Sequence, residues 1–159
     1  MNIRVGFGYD IHKLAEGRKF MLGGVQIPGP MGAIGHSDAD VIIHAIMDAL
    51  LGAAGMRDIG NYFPDTDASL KDIDSKILLA KTFSLIKKAG FNIGNIDVTL
   101  CLEAPKVSQF VPEMKQILQT ILELPHGSLS IKATTNEGMG FVGRNEGVAA
   151  YAVAVLFKI

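Results

Sequence analysis

The chain has 159 residues, 48% hydrophobic and 19% charged, with a formal net charge of −1. That is enough apolar material for one globular domain (1–159) with a real core, and too much for a disordered chain. The balanced charge, with no basic patch, argues against nucleic acid as the main partner. The lack of any run of about 18 apolar residues argues against a membrane span.

The first residues, Met1-Asn2-Ile3-Arg4-Val5, enter a strand pattern at once, so no leader peptide is expected. The single cysteine, Cys101, excludes an intrachain disulfide. It suits a reducing, cytoplasmic setting or, in a eukaryote, a plastid or organelle stroma, and reads as a small buried hydrophobe. In chain order, Ile3 to His12 reads as a strand ending in a functional loop. Lys19 to Ile27 reads as a hairpin turned by Gly23-Gly24, and Pro28 to Gly35 as a Gly/Pro loop. Ser37-Asp38-Ala39-Asp40 has the spacing of a helix N-terminal cap, with aspartate in the place of the usual glutamate. The helix it opens runs to Gly52 or Gly55.

Arg57 to Ser69 is a long polar loop, a length that usually marks function in a compact domain. Leu79, Phe83 and Ile86 give the buried stripe of a second helix over Ile73 to Ala89, with Gly90 beyond its end. Ile93 to Leu102 reads as a strand. Met114, Ile117, Leu118 and Ile121 mark a third helix that starts at Val107 or Pro112 and ends at Glu123. Leu129 to Ala133 is a strand, Thr134 to Gly147 a glycine-rich loop, and Val148 to Ile159 an apolar strand expected to be buried on both faces. Its small residues Ala150, Ala152 and Ala154 would admit a helix or another subunit closely. Strands alternating with helices predict a two-layer α/β (α+β) sandwich, a mixed sheet with helices on one face.

The chemistry gathers around three of the four histidines. Asp10 and His12 are two apart on a strand, so both side chains leave the same face. His44, on the following helix, would complete an Asp-His-His set with a fourth position open, the pattern of a catalytic rather than a structural zinc site. Taken singly, Asp10 and His12 read as a polar strand end and His44 as a core histidine; in combination they favour a metal. Gly6-Phe7-Gly8 is not a dinucleotide fingerprint, since the third glycine is missing and Asp10-Ile11-His12 stands where a helix should open. His36 and Ser37, read as lying at a helix N-terminus, suit a phosphate-bearing ligand. Lys132 to Arg144 combines hydroxyls, glycines, Glu137 and Arg144, and could cradle a diphosphate, with Glu137 holding Mg²⁺. Its plainer reading is a flexible surface loop. His126, Asp48 and Asp97 read as structural or surface residues. On residues alone, a zinc-dependent phosphohydrolase and a non-catalytic nucleotide-binding scaffold both stay open.

Several stretches resemble one family closely and in order. They are Gly8-Tyr9-Asp10-Ile11-His12, Gly35-His36-Ser37-Asp38-Ala39-Asp40-Val41, His44-Ala45, Asp58-Ile59-Gly60, Phe63-Pro64-Asp65-Thr66-Asp67, Lys132-Ala133-Thr134-Thr135 and Gly140-Phe141-Val142-Gly143-Arg144-Asn145-Glu146-Gly147. The chain is similar over nearly its whole length to the 2-C-methyl-D-erythritol 2,4-cyclodiphosphate synthase family of non-mevalonate isoprenoid biosynthesis. The resemblance implies a homotrimer with active sites between subunits. It implies conversion of 4-diphosphocytidyl-2-C-methyl-D-erythritol 2-phosphate to the cyclic diphosphate with release of CMP. It further implies Zn²⁺ on Asp10, His12 and His44, and a second cation, Mg²⁺ or Mn²⁺, on Glu137. His36 and Thr135 would support the transition state. Ser37, Asp58, Gly60, Phe63 and Asp65 would contact the phosphates and the methylerythritol portion. Leu102, Ala104, Pro105, Lys106, Ala133 and Thr134 would form the cytidine pocket, with Phe141 and Arg144 closing the loop beside it.

Overall fold

The computed structural model describes residues 2–159 and has two layers. The strands are β1 (Ile3–Glu16), β2 (Met21–Leu22), β3 (Val25–Gln26), β4 (Met31–Ile34), β5 (Phe91–Cys101), β6 (Leu129–Thr134) and β7 (Gly147–Lys158). The helices are α1 (Val41–Ala53), α2 (Ile59–Tyr62), α3 (Ser75–Lys88), α4 (Val111–Ile121) and α5 (Gly140–Gly143). Five strands form one sheet in the order β4-β1-β7-β5-β6, and β2-β3 is a separate hairpin. All neighbours in the large sheet are antiparallel except β5 and β6, which run parallel. A parallel pair needs a crossover, and α4 supplies it. The expected mixed sheet is what the chain forms.

Glycine sets the spacing between the layers. Even-numbered residues of β1 face α1, and there Gly6 and Gly8 leave no room for a side chain. A Cβ on Gly6 would sit 1.9 Å from the Ala49 carbonyl oxygen, and one on Gly8 1.9 Å from that of Ala45. Ala150, Ala152 and Ala154 of β7 are buried on the same face. The small-residue face of the last strand therefore receives a helix, α1, from its own chain. That helix is almost wholly buried, from Val41 through Leu51. Met114 and Leu118 of α4, Leu79 and Ile86 of α3, and Val98 and Leu100 of β5 complete the core.

Four expectations need correction. Pro28 to Gly35 is not all loop: Met31–Ile34 adds an edge strand beside Lys13–Glu16 of β1. Gly32 hides this strand in the sequence, yet a Cβ there would lie 2.1 Å from the Arg18 carbonyl oxygen. The cap of α1 is Asp40 rather than Ser37, so His36 and Ser37 precede the helix instead of standing at its N-terminus. The buried Asp40 carboxylate accepts from Ile43 N at 3.1 Å and from Gly23 N and Gly24 N at 2.9 and 2.7 Å, tying the hairpin turn to the helix. Burial pushes the Asp40 carboxyl upward, against these three donors. The loops 57–69 and 134–147 each hold a one-turn helix, α2 and α5. Finally, β7 is central but buried on one face only: Tyr151 and Val153 are exposed. With Val5, Phe7, Tyr9 and Ile11 of β1, also exposed, they form an apolar sheet face uncovered on the single chain. Tyr151 lies 5.0 Å from Tyr9 and 6.2 Å from Phe7, ring centre to ring centre.

Candidate active site

Pairing with β7 holds Asp10 opposite Ala150 and His12 opposite Val148, and α1 brings His44 over them. Asp10 Oδ2 lies 2.9 Å from His12 Nε2 and 3.0 Å from His44 Nδ1, and the two nitrogens are 3.2 Å apart. Among the described residues these three form the one group able to converge on a metal ion.

Hydrogen accounting shows what the trio lacks. His12 Nδ1 lies 3.1 Å from the Ile34 carbonyl oxygen; a carbonyl only accepts, so Nδ1 carries the hydrogen and Nε2 presents its lone pair. His44 Nε2 lies 2.9 Å from Ser75 Oγ, leaving Nδ1 to face Asp10. Three acceptors thus meet with no donor between them, an arrangement that calls for a cation or added protons. With added protons the two histidines become donors and positive charges facing Asp10. Burial pushes the Asp10 carboxyl up, but hydrogen bonds and charge from His12 and His44 outweigh it and bring it down to about 2. Burial acts to lower His44, and Asp10 overrides it and raises it. Two nitrogens and a carboxylate oxygen suit zinc, whose bonds of roughly 2.0–2.2 Å put tetrahedral ligands about 3.3 Å apart, close to the separations found. Gly35 leaves room for the His12 ring, since a Cβ there would lie 3.0 Å from its Cε1.

The trio opens into a cavity of about 450 Å³ lined also by His36, Ser37, Gly60, Phe63, Asp65 and Leu70. His36 is held in its wall by Nε2–H donating to the Asp67 carbonyl at 2.9 Å. Asp58 is not in the lining; its carboxylate caps α2, accepting from Asn61 N at 3.0 Å. Asp48 accepts from Ile59 N at 2.9 Å and so fastens α2 to α1. A second, smaller cavity of about 190 Å³ is lined by Leu102, Pro105, Lys106, Ala133, Thr134 and Thr135. Ala104, just outside that lining, precedes a cis peptide bond to Pro105. Glu103 shapes this region in a way the residue-by-residue reading missed. Its carboxylate accepts from Asn136 N at 3.0 Å and Gly138 N at 3.1 Å, fixing the loop that carries Thr135 and Glu137.

Glu137 itself has a left-handed backbone (φ 52°) and no side-chain hydrogen bond among the described residues. Arg144 is not free, because it forms a two-pronged pair with Glu146 at 2.8 and 3.2 Å. Phe141 packs beside Gly147. A larger groove of about 930 Å³ lies between α3 and α4. Lys76, Lys81 and Glu113 line it without converging, so size is a poorer guide here than the donor set.

Fold and site together define a class: a mixed-sheet α/β protein with an Asp-His-His set able to hold a cation, opening into a cavity of mixed polar and apolar lining. The chain belongs to the YgbB family, whose model matches residues 3–157. It is 53% identical to 2-C-methyl-D-erythritol 2,4-cyclodiphosphate synthase of Bacteroides fragilis over 159 residues, all of both chains. Among solved structures it resembles the bifunctional IspDF of Campylobacter jejuni at 39% identity and a TM-score of 0.95, covering 99% of this chain and 43% of that longer one. It also resembles the CDP complex of Plasmodium falciparum IspF at 34% identity and a TM-score of 0.86, over 99% and 97% of the two chains. No helix among the described residues is long and apolar enough to cross a membrane.

Proposed function

We propose that the chain is a 2-C-methyl-D-erythritol 2,4-cyclodiphosphate synthase, closing 4-diphosphocytidyl-2-C-methyl-D-erythritol 2-phosphate into its cyclic diphosphate and releasing CMP. The full-length likeness to the Bacteroides fragilis synthase supports this most directly, and the Asp-His-His cluster beside the cavity supports metal dependence; ring closure with loss of CMP would make the enzyme a phosphorus–oxygen lyase. The nucleophile is already a phosphate anion, so no strong base is needed. The difficulty is to bring two anionic groups into line, which is a matter of positioning and charge.

Asp10, His12 and His44 would hold Zn²⁺. When bound there, the ion supplies a fixed positive charge to which phosphate oxygens are drawn. The chain's own residues do the rest. Ser37 presents a hydroxyl to the phosphates, and Gly60, Phe63 and Asp65 accept the methylerythritol portion, with Asp58 at its edge. His36 stands in the same wall, where it can contact the transferring phosphates. Leu102, Pro105 and Lys106 with Ala133 and Thr134 form a slot suited to a flat pyrimidine, and the Phe141–Arg144 turn lies beside that loop. Thr135 places its hydroxyl at the edge of the slot nearest Glu137. Glu137 would hold Mg²⁺ or Mn²⁺ on the diphosphate; such an ion needs only one or two protein carboxylates when phosphates supply other ligands.

The two cavities carry different parts of the substrate and have no lining residue in common. A homotrimer joins one chain's metal cavity to the next chain's nucleotide slot, and the exposed apolar sheet face of β1 and β7 is the surface such an assembly would cover. Incubation with the diphosphocytidyl substrate tests the reading. Cyclic diphosphate and CMP in equal amounts are expected; inorganic phosphate would identify a phosphohydrolase instead, and an unchanged substrate a binding protein.

A further inference from the structure

We propose that Asp38 and Ser75 form a hydrogen-bond relay that sets the tautomer of His44, so that Nδ1 is the nitrogen offered to a cation and the Ser37 hydroxyl hydrogen is released for a substrate oxygen. The proposal rests on the reading that Asp10, His12 and His44 hold a cation.

The bonding order follows from what each group can do. A carboxylate only accepts. Asp38 Oδ2 receives Ser75 N–H at 3.0 Å, and Asp38 Oδ1 receives the Ser75 hydroxyl hydrogen. Asp40 N is a third donor to the carboxylate, reaching Oδ1 at 3.2 Å. With its hydrogen given to Asp38, Ser75 Oγ must act as acceptor toward His44 Nε2 at 2.9 Å. His44 therefore carries its hydrogen on Nε2 and its lone pair on Nδ1, the atom 3.0 Å from Asp10 Oδ2. Ser75 is fully buried, so no water competes for these bonds. Metal-bound histidines are ordinarily held this way through their second nitrogen by a carboxylate or carbonyl. Here the carboxylate acts through a serine, and the two residues lie 37 positions apart in the chain.

The same accounting fixes Ser37. Its Oγ lies 3.1 Å from His44 Nε2 and 3.4 Å from Ala39 N. Both neighbours are donors, so Ser37 cannot give its own hydrogen to either. Ser37 lines the cavity, and its hydrogen is available there to an acceptor such as a phosphate oxygen. Asp38 and Ser75 are thus positioning residues. They act through His44 and Ser37 and need not touch the substrate.

Asp38→Ala discriminates the relay from simple packing. It removes the acceptor that holds the Ser75 hydroxyl hydrogen. The serine hydrogen then turns to His44 Nε2 and pushes the ring hydrogen onto Nδ1. Co²⁺ titration of metal-free protein, followed by visible absorption, should show binding weakened about 10–100-fold. Nitrogen-15 spectra of His44 in metal-free protein at alkaline pH should move from the Nε2–H to the Nδ1–H form, a change that lost packing alone would not make. Ser75→Ala should also weaken binding, and adding Asp38→Ala to it should cost nothing more. If wild-type protein binds no Co²⁺, the metal reading fails. If wild type binds and Asp38→Ala or Ser75→Ala binds equally well, or the two losses add in the double variant, the relay alone is overturned. Should Asp38→Ala not fold, Ser75→Ala decides by the same titration.

Discussion

Gly8→Ala gives a sharp test of how the fold makes the site. The added Cβ would stand 1.9 Å from the Ala45 carbonyl oxygen, where ordinary contact begins at 3.4 Å. Both partners are backbone, so nothing flexible can yield, and α1 must move off the sheet by about 1.5 Å. His44 is the neighbour of Ala45, while Asp10 and His12 stay with the strand. Separations of 3.0 and 3.2 Å would widen to roughly 4.5 Å, more than two bonds of about 2.0–2.1 Å can span. Overpacking of this kind costs about 1–3 kcal/mol, which lowers the melting temperature by roughly 2–4 °C per kcal/mol in a protein of this size. Thermal unfolding and elemental analysis of the purified variant would read both effects. Gly52→Ala is the control: it lies on the same helix with nothing within 4 Å of the new Cβ, and should be neutral or slightly stabilising. A Gly8→Ala protein with unchanged melting temperature and full metal content would refute the claim that this glycine sets the distance between strand and helix.

Three further outcomes are expected. Mixing His12→Ala with Thr135→Ala, each nearly inactive alone, should restore part of the activity after subunit exchange; no recovery despite proven mixing would count against sites shared between chains. Glu137→Gln should keep its zinc while losing most of the rescue that added Mg²⁺ gives to dialysed protein, read as turnover against Mg²⁺ concentration. The folded Asp10 carboxyl is held at about 2, below its unfolded range, so its contribution to stability is present above about pH 4 and fades as pH falls through 2. In metal-free protein this is worth roughly 2 kcal/mol, and urea unfolding of Asp10→Asn should show a correspondingly flatter dependence between pH 5 and 2.

Much of this architecture can be read before any coordinates. The long helices, β5, β6 and the run from Ile3 to His12 follow from periodicity, and the Gly23-Gly24 hairpin from turn chemistry. The Asp10–His12 pair follows from strand alternation. What escapes is what depends on distant partners. Met31–Ile34 contains Gly32 and Ala33 and has little strand propensity of its own; it is a strand because Lys13–Glu16 lies beside it. Ser37 looks like the helix cap because its spacing to Asp40 imitates a capping box, whereas Asp40 takes the position by bonding Gly23 and Gly24 as well. β7 looks buried on both faces because its outer residues, Tyr151 and Val153, are apolar. The Asp38–Ser75 bond joins residues with no local signal at all. In the cavity beside Asp10, His12 and His44, the residues His36, Ser37, Gly60, Phe63 and Asp65 are brought together, but Asp58 is drawn off to cap α2.

The pairing of β1 with β7 has a consequence for the order of events in synthesis. Residues 3–13 lie against residues 147–157, so the segment bearing Asp10 and His12 emerges well before its main partner strand. Until β7 arrives, β1 can lay one face on α1, but its only strand pairing is the short edge with β4 at its far end. The cation trio, apparently local to the first third of the chain, is in effect a long-range contact, of the kind that slows folding. A nascent chain stalled before its final strand would carry all three ligands and lack the surface that aligns two of them. Removal of even the last dozen residues should therefore be as damaging to the site as an alteration at Asp10 itself.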